Sequence, residues 1–237
     1  MRLILTAAII VTAFVTQQAD ASLFKRQWGE LDPETIVETF SRVAFTNVHG
    51  KRIIVRWNRD HTIKWHSINL PNKLIAKIFS TISENTNLQF EMVNKPEMAN
   101  YFLGTDTIEN IETLWRRLGS DDPEWGSKIC DGMVNQQHGN IFQGFSAIPV
   151  GTAPGDITTC LFVEITQTMG FFNDIPANFD TVTQAGYFTL DRLPEVDQFM
   201  LRILYDPRLK AGMTREEAMP IVRRILPEYW EKYGPGN

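Results

Sequence analysis

Apolar residues recur at helical spacing in several segments of the chain. The segment PETIVETFSRVA, residues 33–44, places its apolar side chains on one face of a helix, and Asp32 precedes it as a candidate N-cap before Pro33. The same spacing predicts further helices over residues 72–86, 107–118, 196–205 and 214–225. Several amphipathic helices are therefore expected along the chain.

Shorter apolar segments with β-branched and aromatic residues predict strands. They cover residues 51–57, 62–68, 88–93, 100–105 and 140–150. Turn-forming residues 58–60 separate the first two segments, which predicts a hairpin of paired strands. In a chain of 237 residues these elements predict one α+β domain, with a mixed and mostly antiparallel sheet packed on helices.

The first residues have the pattern of a secretory signal peptide. Arg2 precedes an apolar run over residues 3–15, and Ala19-Asp20-Ala21 fits a small-x-small cleavage site. This run is too short for a comfortable membrane span, and no later run is long enough. We therefore expect residues 1–21 to be a signal peptide and residues 22–237 to be a single exported domain, periplasmic or secreted, without a membrane span.

The net charge of the chain bears on whether nucleic acid is an expected partner. The sequence contains 23 basic and 28 acidic residues, a formal net charge of −5, and no long run of either sign. This balance argues against nucleic acid as a partner.

The sequence contains two cysteines, Cys130 and Cys160. In an oxidising compartment an even pair forms a disulfide more often than it remains as two free thiols. The rival interpretation, a nucleophilic cysteine, needs a histidine close in space, and His138 is the nearest in sequence. Nothing else in the sequence supports a nucleophile, so we expect a disulfide.

The segment CLFVEITQTMGFFND predicts a helix with one polar face. Glu164 and Gln167 lie about one turn apart on that face. Gly170 is a suitable residue to end the helix in a left-handed conformation. The chain is then expected to turn and to return Asn173 and Asp174 toward the same face.

This segment resembles the active-site helix of zincin metalloproteases, and of metzincins in particular. In those enzymes the pattern HExxHxxGxxH/D supplies a general base and three zinc ligands. Here Glu164 matches the base and Gly170 the glycine, whereas Val163, Gln167 and Asn173 stand at the three ligand positions. The resemblance implies a zincin-like fold whose cleft keeps the glutamate and has lost the metal ligands.

The chain also resembles a bacterial exported family of unknown function. Its members carry an ExxQxLGxxND segment, a cysteine just before it and an LRxLYDPRLKxGM segment after it. The corresponding segments here begin at Glu164, Cys160 and Leu201, with Met169 in place of the family's leucine. That family has no agreed activity that could be carried over to this chain.

Ligand chemistry argues against tight zinc binding at this helix. Val163 offers no donor atom, and the amides of Gln167 and Asn173 are weak neutral ligands. Losing three imidazoles removes most of the roughly 10 to 16 kcal/mol typical of a structural zinc site. We expect no cofactor and no bound metal.

The leading functional hypothesis is a degenerate metallopeptidase that binds a peptide or protein in the remnant cleft. Residues 140–150 are expected to form an exposed edge strand that accepts an extended chain by strand addition. Gln167, Asn173 and Asp174 are the expected binding residues, and Glu164 is the candidate catalytic residue if any catalysis survives.

Three alternatives remain open. Glu164 can act as the general acid or base of a metal-free, glycosidase-like hydrolase, with Asp174 or another acid as its partner. The protein can also be an active metallopeptidase with unusual ligands. Finally, Glu164 and Gln167 can be a hydrogen-bonded polar pair with a purely structural role. If the protein is an enzyme, the motif favours a hydrolase of the peptidase type.

Overall fold

A computed structural model describes residues 31–117, 130–185 and 189–234 of the 237-residue chain. The described helices are α1 (Pro33–Val43), α2 (Asn72–Thr86), α3 (Ile108–Arg117), α4 (Pro154–Gln167), α5 (Glu195–Leu204) and α6 (Arg215–Tyr233). The described strands are β1 (Phe45–Val48), β2 (Lys51–Ile54), β3 (Arg56–Trp57), β4 (Thr62–Ile68), β5 (Gln89–Met92), β6 (Tyr101–Asp106), β7 (Asp131–Gln137) and β8 (Asn140–Pro149). A 3-10 helix, Pro96–Met98, lies between β5 and β6.

The predicted signal peptide, residues 1–21, lies outside the described residues, so export stays a prediction. None of the helices within the described ranges is long and apolar enough to cross a membrane.

The main sheet has six strands and is largely parallel. Strands β5, β4, β6 and β8 are neighbours in that order and run parallel, and β3 pairs in parallel with the start of β8. Among the described strands of this sheet, only β7 runs antiparallel, as the partner of β8. The expectation of a mostly antiparallel sheet is therefore wrong. Helix α2 joins the parallel neighbours β4 and β5 as a crossover that returns the chain in the same direction, whereas α3 and β7 lie in the chain between the parallel neighbours β6 and β8.

The predicted hairpin of residues 51–57 and 62–68 does not form. Strand β2 pairs with β1 in a separate two-stranded sheet, whereas β4 lies between β5 and β6. Strand β4 buries Ile63 and Trp65 in the core, and a position inside the sheet requires partners on both sides. The turn at residues 58–60 therefore bends the chain without setting the strand pairing.

The predicted edge strand, residues 140–150, also has a different position. Strand β8 spans Asn140–Pro149 and lies between β6 and β7, so it is an interior strand. The edge on this side of the sheet is β7, whose sequence DGMVNQQ has only two apolar residues and gives no strand signal. All residues of β7 except the last are partly buried.

Helices cover both faces of the main sheet. On one face α2 and α4 pack beside each other, and α5 packs against α2 and α6. Phe79 of α2 contacts the rings of Trp65 and Tyr101 on that face. On the other face Ile111 of α3 packs against Phe145 and other residues of the sheet in a smaller apolar cluster.

The helix predictions from apolar spacing are confirmed, with shifted ends. Asp32 caps α1 by accepting a hydrogen bond from the Thr35 N–H at 2.7 Å, as predicted. Helix α6 continues to Tyr233, beyond the predicted end at residue 225, and includes Pro220 and Pro227. A capping box between Thr214 and Glu217 fixes its start.

Cys130 and Cys160 are bonded to each other, as the sequence predicts. The bond joins the residue before β7 to the middle of α4.

Replacing both cysteines by alanine should lower the free energy of unfolding by about 2 to 4 kcal/mol, because the unfolded chain is no longer restricted by a closed loop. Chemical denaturation of both proteins measures this difference. Thiol titration of the unfolded, unreduced protein should find no free thiol, and two labelled thiols would contradict the bond.

Candidate functional site

Helix α4 carries the candidate site and lies against the edge of the main sheet. It begins at Pro154, in the first turn where proline loses no hydrogen bond, and it ends at Gln167. Its apolar side buries Leu161, Phe162 and Ile165 in the core. Each such side chain contributes roughly 1.5 to 3 kcal/mol when it leaves water, which fixes the helix and the direction of its polar side chains.

Glu164 is buried beside strand β7. Only 6% of the residue is exposed. A Cβ atom built on Gly132 of β7 would lie 2.8 Å from Oε2 of Glu164 and 2.9 Å from Cγ2 of Thr168. The carboxylate therefore lies against the backbone of the edge strand at a position where any side chain would displace it.

A chain of buried hydroxyl groups ends at the carbonyl oxygen of Glu164. The Tyr101 hydroxyl lies 2.7 Å from both Ser146 Oγ and Thr168 Oγ1, and the Thr168 hydroxyl donates to the Glu164 carbonyl oxygen at 2.8 Å. Each hydroxyl can donate once if the order is Ser146, Tyr101, Thr168 and then Glu164. The chain joins β6, β8 and α4 with every donor used.

Burial raises the pKa of the Tyr101 phenol, and the nearby charge of Glu164 acts in the same direction. Its hydrogen bonds with Ser146 and Thr168 oppose this shift only in part. The phenol therefore keeps its proton at neutral pH and serves as a hydrogen-bond donor. Sequence reasoning missed all three hydroxyl residues, because a single polar residue within an apolar segment gives no pattern of its own.

Gln167 links the end of α4 to the loop that follows. Its amide Nε2 donates to Asp174 Oδ1 at 2.8 Å and to the Val182 carbonyl oxygen at 3.2 Å. Two of the predicted binding residues, Gln167 and Asp174, are therefore in direct contact. Asp174 is exposed, so this pair lies where the loop meets solvent.

Asn173 lies apart from that pair. Its side-chain N–H2 donates to the carbonyl oxygens of Arg42 at 3.1 Å and of Phe45 at 3.0 Å. These carbonyls belong to the C-terminal end of α1 and to the start of β1. The expectation that Asn173 returns to the polar face of α4 is therefore wrong, since its amide closes the end of another helix.

Gly170 has a backbone conformation that requires glycine. Its φ is +134°, which is positive as predicted but lies beyond the left-handed helical region, and α4 ends three residues earlier. An added Cβ would lie 2.7 Å from Cδ2 of Leu204 and 2.8 Å from the carbonyl oxygen of Val55. Both the conformation and the available space exclude a side chain at this position.

None of the three positions that correspond to metal ligands provides one here. Val163 is half-buried and packs against the core, while Gln167 and Asn173 use their amides in the contacts above. In the ranges 31–117, 130–185 and 189–234, no group of three or more His, Cys, Asp or Glu residues is arranged to hold a metal ion.

Asp197 of α5 holds the loop that Gln167 also contacts. Its carboxylate is fully buried and accepts hydrogen bonds from the Thr181 hydroxyl at 2.7 Å and from the Val182 N–H at 2.9 Å. Burial raises the pKa of Asp197 to about 7, although these two hydrogen bonds oppose the shift. The loop therefore rests on a carboxyl group that titrates near neutral pH.

The segment LYDPRLKAGM begins at Leu204, the last residue of α5, and contacts the chain just after α4. The Tyr205 hydroxyl donates to the Met169 carbonyl oxygen at 2.8 Å and accepts from the Trp57 N–H at 3.2 Å. Partial burial raises the pKa of Asp206, but hydrogen bonds from Arg208 bring that pKa below its ordinary value. The Tyr205 hydroxyl thus links the chain just after α4 to β3.

The profile of a family described as "Protein of unknown function (DUF2927)" matches residues 33–224 of the chain. The match includes all of the site described above. No curated protein matches the chain.

Replacing Gly170 by alanine should lower the free energy of unfolding by about 2 to 4 kcal/mol, because strain at positive φ adds to overpacking against Leu204 and the Val55 carbonyl. Gly155→Ala is the matched control, since an added Cβ there meets no atom within 4 Å. Denaturant unfolding of both variants measures the difference. Equal stability of the two variants would contradict the close packing at Gly170.

Asp197 should make the stability of the protein depend on pH. Its pKa is about 7 in the folded protein, against an ordinary value of 3.8, so the folded state binds the extra proton between these values. The contribution of Asp197 to stability should therefore decrease as the pH rises from about 4 to 7, by up to about 1.4 kcal/mol per pH unit, and remain constant above 7. Asp197→Asn should remove this dependence. Unfolding curves of both proteins across this range test the prediction, and parallel profiles would contradict it.

Proposed function

Because the chain belongs to this family of unknown function, we propose a function from the geometry of its own site: an exported module that binds a peptide or protein segment along β7, without zinc-dependent catalysis. The observation that carries the proposal is the contact between the Glu164 carboxylate and Gly132 of the edge strand. It places Glu164 directly beside β7, and β7 pairs with β8 on one side and with no described strand on the other.

A zincin-like cleft is part of this proposal. The order of elements supports it, because an antiparallel edge strand and one interior strand directly precede the helix that carries Glu164. Zincin clefts hold their substrates along such an edge by strand addition. Losing metal ligands from the helix leaves the backbone groups of the edge strand unchanged, so binding can persist without hydrolysis.

The register of the sheet identifies the backbone groups that face outward. Gly144 donates its N–H to Asn100 before β6, so the next residue, Phe145, directs its backbone groups toward β7. The partner of Phe145 is Met133, which therefore faces β8. Because backbone direction alternates along a strand, the N–H and C=O of Val134 point away from the sheet.

The neighbouring outward N–H, that of Gly132, is already used. It donates to the Asp131 side chain at 2.8 Å. Val134 is therefore the outward donor next to the glutamate, and an incoming extended chain would pair there. The flanking β7 residues Asn135 and Gln136 are partly buried, so their side chains remain accessible to such a chain.

Export to the periplasm or beyond is also proposed. The segment over residues 1–21 has the signal-peptide pattern, and the Cys130–Cys160 bond suits an oxidising compartment. The net charge of −5 gives no support to nucleic acid as a partner.

Zinc catalysis has little support from the residues at this helix. In a working zincin the glutamate deprotonates a metal-bound water, which requires strong ligands one turn apart. Here the Gln167 amide donates to the Asp174 carboxylate, and the Asn173 amide donates to a carbonyl oxygen at the C-terminal end of α1. Glu164 therefore has a positional role at the edge strand, where its carboxylate supports Gly132.

The proposal is tested by screening the mature protein, residues 22–237, against an array of random decapeptides and then measuring the affinity of the best binders. Val134→Pro removes the outward N–H while leaving the bonds between β7 and β8, because proline is tolerated on strand edges. It should weaken peptide binding at least about tenfold. Val134→Ala, which keeps the N–H, controls for the lost side chain and should bind within about threefold of the wild type.

The same binders distinguish the alternatives when they are examined for cleavage. No cleavage is expected. Cleavage that disappears with a chelator and with Glu164→Gln would show an active metallopeptidase with unusual ligands. Cleavage that survives the chelator but disappears with Glu164→Gln would show a metal-free hydrolase. Binding that Val134→Pro leaves unchanged would place the peptide elsewhere and exclude strand addition at β7.

A further inference from the structure

A second concave site lies outside the α4–β7 region. It is a cavity of about 450 Å³ formed by β3, the turn after it, the start of β8 and the loop after α5. A cavity of this volume falls within the range of small-molecule sites. None of its lining residues belongs to α4 or β7.

The lining of the cavity is positively charged. It includes three cationic side chains, Arg56, Arg59 and Lys210, and one carboxylate, Asp60. The chain as a whole carries a net charge of −5, so this lining has the opposite sign to the molecule. A concave surface with one sign of charge concentrates ions of the other sign.

Arg56 provides a fixed positive charge at the wall of the cavity. It is buried, and its guanidinium donates to two neutral groups, the carbonyl oxygens of Leu204 and, at 2.7 Å, Leu209. Burial lowers the pKa of Arg56, and the like charge of Arg59 acts in the same direction. Both arginines line the cavity, so an anion bound there is attracted by both charges.

Arg59 and Lys210 are available to a ligand. Within the described part of the chain, neither side chain makes a hydrogen bond or an ion pair. Arg59 is half-buried, so its five N–H donors face a restricted space without an acceptor from the described residues.

Both side chains extend from ordered turns. The Asn58 side chain accepts the Asp60 N–H at 3.0 Å and closes the turn that carries Arg59. The Met213 N–H donates to the Lys210 carbonyl oxygen at 3.3 Å and closes the other turn. The backbone positions of both cations are thus set by these turns, one after β3 and one after α5.

We propose that this cavity binds a small organic phosphate monoester, with Arg59 and Lys210 contacting the phosphate oxygens and Arg56 supplying a fixed charge behind them. A phosphate monoester carries about −1.5 to −2 charges at pH 7. The lining has three cationic side chains and the Asp60 carboxylate, so this charge matches it better than that of a ligand with a single carboxylate group. An arginine fork pairs with two phosphate oxygens at once. The volume of the cavity exceeds that of one phosphate group, so the organic body also has room.

Calorimetric titration of the mature protein at low salt with phenyl phosphate, benzenesulfonate and benzoate tests the proposal. The three probes share one ring and differ in the charge and shape of the anionic group. Phenyl phosphate should bind with one site per chain and at least about tenfold more tightly than benzoate or benzenesulfonate. Benzoate or benzenesulfonate binding as tightly as phenyl phosphate would overturn the assignment to phosphate, and the absence of saturable phenyl phosphate binding would overturn the site.

Substitutions locate the binding in the cavity. Arg59→Gln and Lys210→Gln should each weaken phenyl phosphate binding at least about tenfold, while the melting temperature of the free protein stays unchanged. Arg224→Gln is the matched control, because Arg224 is exposed on α6 and has no ion pair or hydrogen bond among the described residues. An unchanged affinity in Arg59→Gln, or an equal loss in Arg224→Gln, would contradict the proposal. Peptide binding at β7 should be the same in all three variants, so the two proposals can fail independently.

Discussion

The position of α4 against β7 depends on two contacts that lie one helical turn apart. Cys160 is bonded to Cys130, and Glu164 contacts Gly132. Four residues of helix advance by about 6 Å, and two residues of strand advance by about 6.6 Å, so both contacts can form along one line. The helix and the edge strand are therefore fixed in register. A covalent bond and a buried carboxylate act together, and the absence of a side chain at residue 132 is what allows the close approach.

The LYDPRLKAGM segment extends this constraint to the rest of the molecule. Tyr205 joins the end of α4 to β3 through one hydroxyl group, and Arg56 of β3 in turn holds the carbonyl oxygens of Leu204 and Leu209. Arg208 forms ion pairs with both Asp206 and Glu228, which attaches the same segment to α6. A sequence motif without any catalytic group thus has a structural explanation, since its polar atoms connect three elements that are distant in the chain. The positively charged wall of the cavity is a consequence of the same Arg56 contacts.

The sequence predicted the elements well and their arrangement poorly. Apolar spacing found every described α-helix except for shifts at the ends, because burial of one face is a local and periodic signal. Strands β1 and β7 were missed, since β1 has only four residues and the edge strand β7 has only two apolar ones, too few for a periodic signal. The pairing of β4 was wrong because the partners of an interior strand are separated from it by whole helices, and a nearby turn gives no information about them.

The site was partly predictable because some of its contacts are local in the sequence. Glu164, Gly170 and the contact between Gln167 and Asp174 lie within one continuous segment, where spacing along a helix constrains geometry. The hydroxyl chain through Tyr101 joins residues from three elements and depends on which side chains share a face of the folded sheet. Asn173 was assigned to the wrong partner because its hydrogen bonds reach residues about 130 positions earlier in the chain.

The three positions where the zincin pattern would have metal ligands each have a separate structural role, which bears on how this helix could acquire a metal. Val163 packs against the core, Gln167 joins α4 to its loop, and Asn173 satisfies carbonyl groups at the end of α1. A histidine at Val163 would crowd the core and place a polar ring against it, a histidine at Gln167 would lose the contact with the loop, and a histidine at Asn173 would leave carbonyl oxygens unpaired. Each defect costs about 1 to 3 kcal/mol before a ligand set is complete. One or two histidines bind zinc weakly and would not offset that cost. Variants on the way from this site to a metal centre would therefore be less stable than the present protein, and the backbone of β7 is the part of the proposed peptide site that these substitutions leave intact.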